Sequence, residues 1–247
     1  MHDQRVTAAD VDPEPTWLVV DSRRLTFAEY RRLSPNLLTL VFASVLKLLR
    51  RRIRFPSALP REFRLIDLAD TAPSWAEPAL TANHAAFVAG GLRPVLTYTI
   101  PMLGPTATVA RVFVDDAGDV VAQAMVGRTV GQPPRTTAFC TSHLADGAVL
   151  ATGNHQEHLA NPPTVRAELL VGDAAHVLAR HRARLAGLAI TPCPRDQLTA
   201  RLAAEHALAV AFHEARGAYV PIDADQLASL RTATPPPELP PAIVVRR

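Results

Sequence analysis

Glutamate and histidine side chains toward the C-terminal end are the groups best suited to acid–base chemistry. The alanine-rich stretch "DQLTARLAAEHALAVAFHEAR", residues 196–216, is typical of a helix. Glu205, His206 and His213 share roughly one side of it. There they could act as acid and base or, with a ligand from another segment, bind a metal. The alternative is that these side chains pack at the edge of a domain.

Two more histidines lie on the apolar faces of predicted helices. His84 belongs to the helical pattern of residues 79–92 and His181 to that of residues 174–188. We interpret both as semi-buried histidines whose hydrogen bonds are satisfied within the protein. The candidates for a catalytic site built from dispersed residues are His181, Glu205, His206 and His213.

The common catalytic signatures are missing from the sequence. It has no glycine-rich phosphate loop and no Gly-x-Ser-x-Gly elbow, and "FHEAR" lacks the second histidine of a zinc helix because Gly217 stands there. Cys140 and Cys193 are too few for a disulfide framework or a cysteine-rich metal site. His143 points away from Cys140 on a predicted strand, so the two do not form a dyad. We expect neither a metal nor a cofactor.

Patterns in the middle of the chain predict a sheet. Hairpin turns at Asp115–Gly118 and Ala145–Gly147 each separate two strand-like segments. The predicted strands are residues 93–100, 106–114, 119–126, 136–144, 147–154 and 164–171. Helices near residues 80–90 and 173–187 flank them. We therefore predict an α+β fold, in which helices cover one face of an antiparallel meander of five to six strands.

Composition divides the chain into six predicted segments. Thr26 and Glu29 form a capping box for a short helix in the first segment, and proline-rich stretches mark the linker and the C-terminal end. The segments are an N-terminal tail with a short helix (1–33), an amphipathic basic helix (34–56), a linker (57–78), the α+β core (79–190), C-terminal helices (191–232) and a disordered tail (233–247).

The second segment, "SPNLLTLVFASVLKLLRRRIRFP", predicts an amphipathic helix over residues 35–55. Ser34 is a suitable N-cap, Pro35 suits the first turn and Pro56 ends the helix. Residues predicted to face acyl chains are Leu37, Val41, Phe42, Val45, Leu48 and Leu49. Residues predicted to contact lipid headgroups are Lys47, Arg50, Arg51 and Arg54.

This helix is too short and too two-sided to span a membrane. A spanning helix needs ~20 largely apolar residues and is apolar all round. Two interpretations remain open: the helix lies in a membrane interface, or its apolar side packs on the protein's own sheet.

The charge distribution favours an anionic surface as a partner. Residues 22–64 carry eleven basic and two acidic side chains, a local net charge of +9, whereas the whole chain of 247 residues has +3. The alternative is a solvated arginine face. Nucleic acid is not expected as a partner, because no nucleic-acid-binding motif is visible in the sequence. The acidic N-terminus resembles no secretory signal, so we expect a cytoplasmic protein, peripheral on the inner membrane face.

The helix that ends in small residues, the two hairpins and the turn "LADGAVLATGN" resemble a family of uncharacterised bacterial proteins. In that family a membrane-proximal segment followed by arginines precedes a compact α+β domain. The resemblance covers roughly residues 36–188 and implies membrane association without implying any chemistry. The chain departs from the family by having a short amphipathic segment where its members often have a full hydrophobic span.

Two hypotheses about function follow from the sequence. The first is a non-enzymatic α+β interaction or accessory module, held at the inner membrane surface or by a protein partner. The second is a hydrolase-type enzyme whose site is assembled from the dispersed histidine and glutamate residues. The two differ in what they require of the fold, since an enzyme needs these side chains to converge.

Overall fold

The computed structural model of the chain describes residues 14–33, 37–49, 55, 57–68, 72–154 and 159–232. Within these ranges the protein is a mixed α+β structure, as the sequence predicts. Its helices are α1 (Phe27–Leu33), α2 (Leu37–Leu48), α3 (Glu77–Ala89), α4 (Ala174–Leu185), α5 (Leu198–Ala215) and α6 (Ala224–Thr232). Its strands are β1 (Trp17–Val20), β2 (Leu59–Pro60), β3 (Ile66–Asp67), β4 (Arg93–Thr99), β5 (Thr106–Val114), β6 (Val121–Thr129), β7 (Arg135–Leu144), β8 (Val149–Gly153), β9 (Val165–Leu169), β10 (Ile190–Thr191) and β11 (Tyr219–Pro221).

The larger sheet is open and mostly antiparallel. Its strand order is β3-β4-β5-β6-β7-β8-β9, with β10 paired to β7, and only β8 and β9 run parallel to each other. All six predicted strands are present, but the sheet has eight strands rather than five to six. The two additional strands, β3 and β10, are two residues long, so they leave no alternating pattern in the sequence.

Both predicted hairpin turns join neighbouring strands of this sheet. Gly118 lies between β5 and β6 with φ of 76°, and Gly147 lies between β7 and β8 with φ of 82°. A residue with a side chain rarely adopts such values, so the glycines explain why the chain reverses at these two points.

Helices α3 and α4 cover one face of the sheet. Leu80 and Phe87 of α3 and Val177 and Leu178 of α4 are buried in one apolar cluster with the sheet residue Phe113. Asp173 caps α4 by accepting a hydrogen bond from the backbone N–H of His176 at 2.9 Å, as predicted from the sequence.

Helix α5 packs on the opposite face, so the expectation of a sheet covered on one face only is wrong. Leu198 and Leu202 of α5 are buried against Tyr98, Val112 and other side chains of β4, β5 and β6. Leucines spaced four residues apart lie on one side of a helix, which is enough to dock this alanine-rich segment.

A smaller sheet connects the two ends of the described chain. Strand β1 lies between β11 and β2 and is antiparallel to both. Trp17 and Val19 of β1 pack with Leu230 of α6 and with Ala58. The predicted tail, linker and C-terminal helices therefore share one apolar cluster.

Helices α1 and α2 lie beside this smaller sheet. The predicted capping box is present: the N–H of Thr26 donates to the Glu29 carboxylate at 2.7 Å, and the N–H of Glu29 donates to the Thr26 hydroxyl at 3.2 Å. Helix α2 has 12 residues. The predicted caps Ser34, Pro35 and Pro56 and the predicted headgroup residues Arg50, Arg51 and Arg54 lie outside the described residues. In the described ranges, no helix is both long and apolar enough to cross a membrane.

Candidate functional site

The four candidate catalytic residues do not converge. His181 lies on the α3–α4 side of the larger sheet, whereas Glu205 and His206 lie on α5 with separate partners. His213, also on α5, accepts a hydrogen bond from Arg216 and packs on Tyr219 of β11. The helical spacing that placed Glu205, His206 and His213 roughly on one side does not bring them to a common site, because each side chain is held by a different element.

His181 belongs to a buried hydrogen-bond network in which every donor has an acceptor. The Ser142 hydroxyl donates to the carbonyl of Asp119, so its oxygen accepts from His181 Nε2 at 2.9 Å. His181 Nδ1 then accepts from the Thr152 hydroxyl at 3.0 Å, and Thr152 in turn accepts from Arg184 at 2.6 Å. The proton on Nε2 points at Ser142, so the imidazole is not placed to remove a proton from that serine.

Burial keeps the His181 imidazole neutral. Its exposed fraction is 0%, and burial, with help from the nearby charges of Arg184 and Arg182, lowers the pKa of His181 to about 4. The network thus has the serine and histidine of a nucleophilic dyad but neither the tautomer nor the solvent access that the chemistry requires. It supports the interpretation of His181 as a structural histidine.

His213 and Glu29 form a second polar cluster, between α5 and α1. Glu29 is buried and accepts hydrogen bonds from Thr26, from the backbone N–H of Ala160 and from Arg216, which also donates to His213 Nδ1 at 3.2 Å. Burial alone would raise the pKa of Glu29, but the hydrogen bonds from Arg216, Thr26 and Ala160 lower it to about 2. Burial, together with the Arg216 charge, lowers the pKa of His213 to about 4.

A pairing between His143 and Glu205 is not predictable from the sequence. His143 Nε2 lies 2.9 Å from a Glu205 oxygen, and Arg201 Nε lies 3.4 Å from the same oxygen. The predicted alternation of β7, with His143 opposite to Cys140, is confirmed by the burial of Cys140 on the other face. The partner of His143 lies 62 residues away on α5, and no local pattern in the sequence identifies it.

The two remaining candidate histidines, His206 and His84, contact other segments of the same chain. His206 Nε2 lies 3.1 Å from the carbonyl of Pro60 and 3.2 Å from that of Arg61, and its ring packs on Phe63. His84 packs on Phe113, as a semi-buried histidine should, but its Nδ1 has no hydrogen-bond partner among the described residues. The expectation that all its hydrogen bonds are satisfied is therefore not met at this nitrogen.

The described residues offer no metal centre. They contain no group of three or more histidine, cysteine, aspartate and glutamate side chains placed to hold an ion. Cys140 and Cys193 are free and buried, and burial raises the pKa of the Cys140 thiol to about 12. Cys140 therefore stays protonated and is a poor nucleophile or ligand.

The most conspicuous surface feature is the outer face of α2. We use this term for seven large apolar side chains whose exposed fractions run from 46% to 80%. They are Leu37, Leu38, Val41, Phe42, Val45, Leu48 and, just beyond the helix end, Leu49. All six residues that the sequence predicts to face acyl chains belong to this set. Large apolar residues concentrated on one helix face are typical of an interaction site.

The opposite side of α2 is packed on the protein. Ala43 is buried and Leu40 is half-buried in a cluster with Leu25 and Tyr30. The Lys47 ammonium donates to the carbonyl of Arg23 at 3.2 Å and also to that of Leu25. Lys47 therefore binds the protein itself, although the sequence predicts that it contacts headgroups.

Fold and surface together define an α+β protein that displays large exposed apolar side chains on α2. No family model, no curated protein and no solved structure matches the chain.

Proposed function

We propose that the protein is a non-enzymatic α+β interaction or accessory module that binds the inner face of a membrane through the outer face of α2. In this proposal α2 lies in the plane of the interface, with Leu37, Val41, Phe42, Val45, Leu48 and Leu49 toward the acyl chains. The observation that carries the proposal is the exposure of these residues while Ala43 and Lys47 hold the other side of the helix to the protein.

The energetics of transfer support a reversible association. Moving exposed aliphatic side chains out of water is worth on the order of 1 kcal/mol for each residue that was about half exposed. Seven such residues supply enough gross free energy to offset the entropy of association, which is several kcal/mol or more. The basic residues near α2 add an attraction to anionic lipid that salt screens.

The rival interpretation, in which the apolar side of the helix covers the protein's own sheet, has less support. Val41, Phe42 and Val45 are about half exposed or more, and the faces of the larger sheet are packed by α3, α4 and α5 instead. The hydrolase alternative also has less support, because its candidate residues are separated and His181 is buried in a saturated network.

Vesicle binding tests the proposal directly. We expect the wild-type protein to co-sediment with phosphatidylcholine vesicles containing phosphatidylglycerol at low salt. Val41→Asp/Val45→Asp should abolish binding, because two carboxylates would have to enter the apolar layer, and should leave the melting temperature nearly unchanged. The matched control is Val130→Asp/Val171→Asp, which makes the same change at two exposed valines elsewhere and should bind like the wild type.

Three outcomes would contradict the proposal. The wild type could ignore vesicles at low salt, or the control variant could lose binding as fully as Val41→Asp/Val45→Asp. The third is a wild-type dimer in light scattering that Val41→Asp/Val45→Asp dissociates, combined with no vesicle binding. That result would make a second copy of the chain, rather than lipid, the occupant of the outer face of α2.

A further inference from the structure

Helix α1 lies against α2 and presents an exposed aromatic residue and exposed arginines. The Lys47 ammonium of α2 lies 5.6 Å from the ring centroids of both Phe27 and Tyr30. Phe27 is 51% exposed, and Arg31 and Arg32 are also exposed. Since residues four apart share one side of a helix, Arg31 lies one turn beyond Phe27 on the side of α1 next to α2.

The single acidic residue of α1 does not contribute to this surface. Glu29 is 1% exposed and points into the protein, where Arg216, Thr26 and the N–H of Ala160 bind its carboxylate. A carboxylate in such surroundings is neutralised by its partners and projects no charge toward an approaching membrane. The exposed charges of α1 are therefore all positive.

Lys47 is not available as a headgroup ligand. Two of its three N–H donors bind the carbonyls of Arg23 and Leu25, and the ammonium lies 5.6 Å from the centroids of the Phe27 and Tyr30 rings. Releasing it to a phosphate would leave two carbonyls without that donor. Among the described residues, α1 is the helix beside α2 that offers other basic side chains.

We propose that α1 forms the anionic-lipid contact of the membrane-binding surface, with Arg31 and Arg32 bound to headgroup phosphates and Phe27 entering the interface beside the outer face of α2. This inference rests on the proposed function, and it names a second helix and the class of lipid that the helix selects. The partner follows from charge complementarity: arginines bind phosphate oxygens through paired N–H donors, and aromatic rings favour the depth of the headgroups.

The experiment compares vesicles of phosphatidylcholine alone with vesicles that also contain phosphatidylglycerol. We expect Arg31→Gln/Arg32→Gln to weaken binding to the anionic vesicles about 30-fold at low ionic strength. Binding to the neutral vesicles and the melting temperature should not change. Arg31→Lys/Arg32→Lys keeps both charges and should retain most of the anionic preference. The control, Arg135→Gln/Arg182→Gln, removes the same charge from exposed positions on β7 and α4 and should bind like the wild type.

Failure of this inference can be told from failure of the proposed function. If the wild type binds and Val41→Asp/Val45→Asp does not, but Arg31→Gln/Arg32→Gln binds anionic vesicles like the wild type, the role of α1 is wrong and the role of α2 stands. An equal loss in the Arg135→Gln/Arg182→Gln control would also overturn the inference, because net charge rather than α1 would then explain the lipid preference. A wild type that binds neither kind of vesicle overturns both proposals.

Discussion

The network around His181 and the outer face of α2 differ in how far the rest of the protein surrounds and binds their side chains. In the network, Ser142, His181, Thr152 and Arg184 each have a hydrogen-bond partner, and His181 has an exposed fraction of 0%. On the outer face, Leu38 is 80% exposed and Phe42 is 62% exposed. The polar groups of the network are hydrogen-bonded, whereas the apolar side chains of the outer face are largely open to solvent.

This difference separates a region that stabilises the fold from the region that we propose for association. A saturated polar network stabilises the fold and has no remaining donor or acceptor for a substrate. An exposed apolar helix face adds little to stability but gains free energy as soon as a partner covers it. Substitutions in the first region should therefore change stability, and substitutions in the second should change association.

The largest effect on stability should come from pH. An ordinary histidine has a pKa of about 6.5, whereas burial lowers the pKa of His181 and of His213 to about 4. Between these values the unfolded chain binds protons that the folded protein does not. The free energy of unfolding should thus fall as the pH falls, by up to about 1.4 kcal/mol per pH unit for each histidine, or about 3 kcal/mol for the two from pH 6.5 to 5.

Urea denaturation at several pH values measures this loss. His181→Leu should roughly halve the pH dependence, because His213 is then the one of these two buried histidines that remains. The pKa of Glu29, lowered to about 2, adds a further loss once the pH falls below about 4.5, where the unfolded glutamate takes up a proton. A pH-independent free energy of unfolding between 6.5 and 5 would show that neither histidine is held neutral.

A single break in the His181 network should have the next largest effect. Thr152→Val keeps the shape of the side chain but leaves His181 Nδ1 without a donor and removes one acceptor of Arg184, which still donates to the carbonyls of Ala151 and Arg166. We expect a loss of about 2 kcal/mol in the free energy of unfolding, with unchanged vesicle binding. The control Thr191→Val, at an exposed position on β10, should stay within about 0.5 kcal/mol of the wild type. Weaker vesicle binding by Thr152→Val would show that the His181 network and the outer face of α2 do not act independently.

The smallest effect should come from the packed side of α2. Lys47→Met keeps the length of the side chain but removes its hydrogen bonds to two carbonyls and its contact with the Phe27 and Tyr30 rings. We expect a loss of about 1 kcal/mol in stability, because these groups lie close to solvent. Affinity for anionic vesicles should stay the same. A drop in that affinity without a drop in stability would restore Lys47 as a headgroup ligand.

Much of the larger sheet was predictable because its signals are local. The turns at Gly118 and Gly147 need glycine for positive φ, and the strands on either side alternate or are β-branched. The capping box of Thr26 and Glu29 and the cap of Asp173 are likewise decided by residues three positions apart. In all these cases the interacting groups are close in sequence, so the pattern specifies the contact.

Long-range pairings could not be predicted in the same way. Glu29 was assigned only to the capping box, yet the same carboxylate also binds Arg216, 187 residues away, and the N–H of Ala160, 131 residues away. The pairing of His143 with Glu205 depends on α5 docking on the second face of the sheet. Those partners are brought together by burial of apolar surface elsewhere, which leaves no signature at the polar residues themselves.

For α2, the sequence by itself determined that the helix has one apolar side and that the helix is too short to span a membrane. Hydrophobic periodicity and length are properties of the segment alone. Only the tertiary structure decided which side meets the protein. Ala43 is small enough for α2 to approach Tyr30 closely, and Lys47 finds two carbonyls within reach there. Close packing and these hydrogen bonds hold the less apolar side inward, and the larger aliphatic side chains are left exposed.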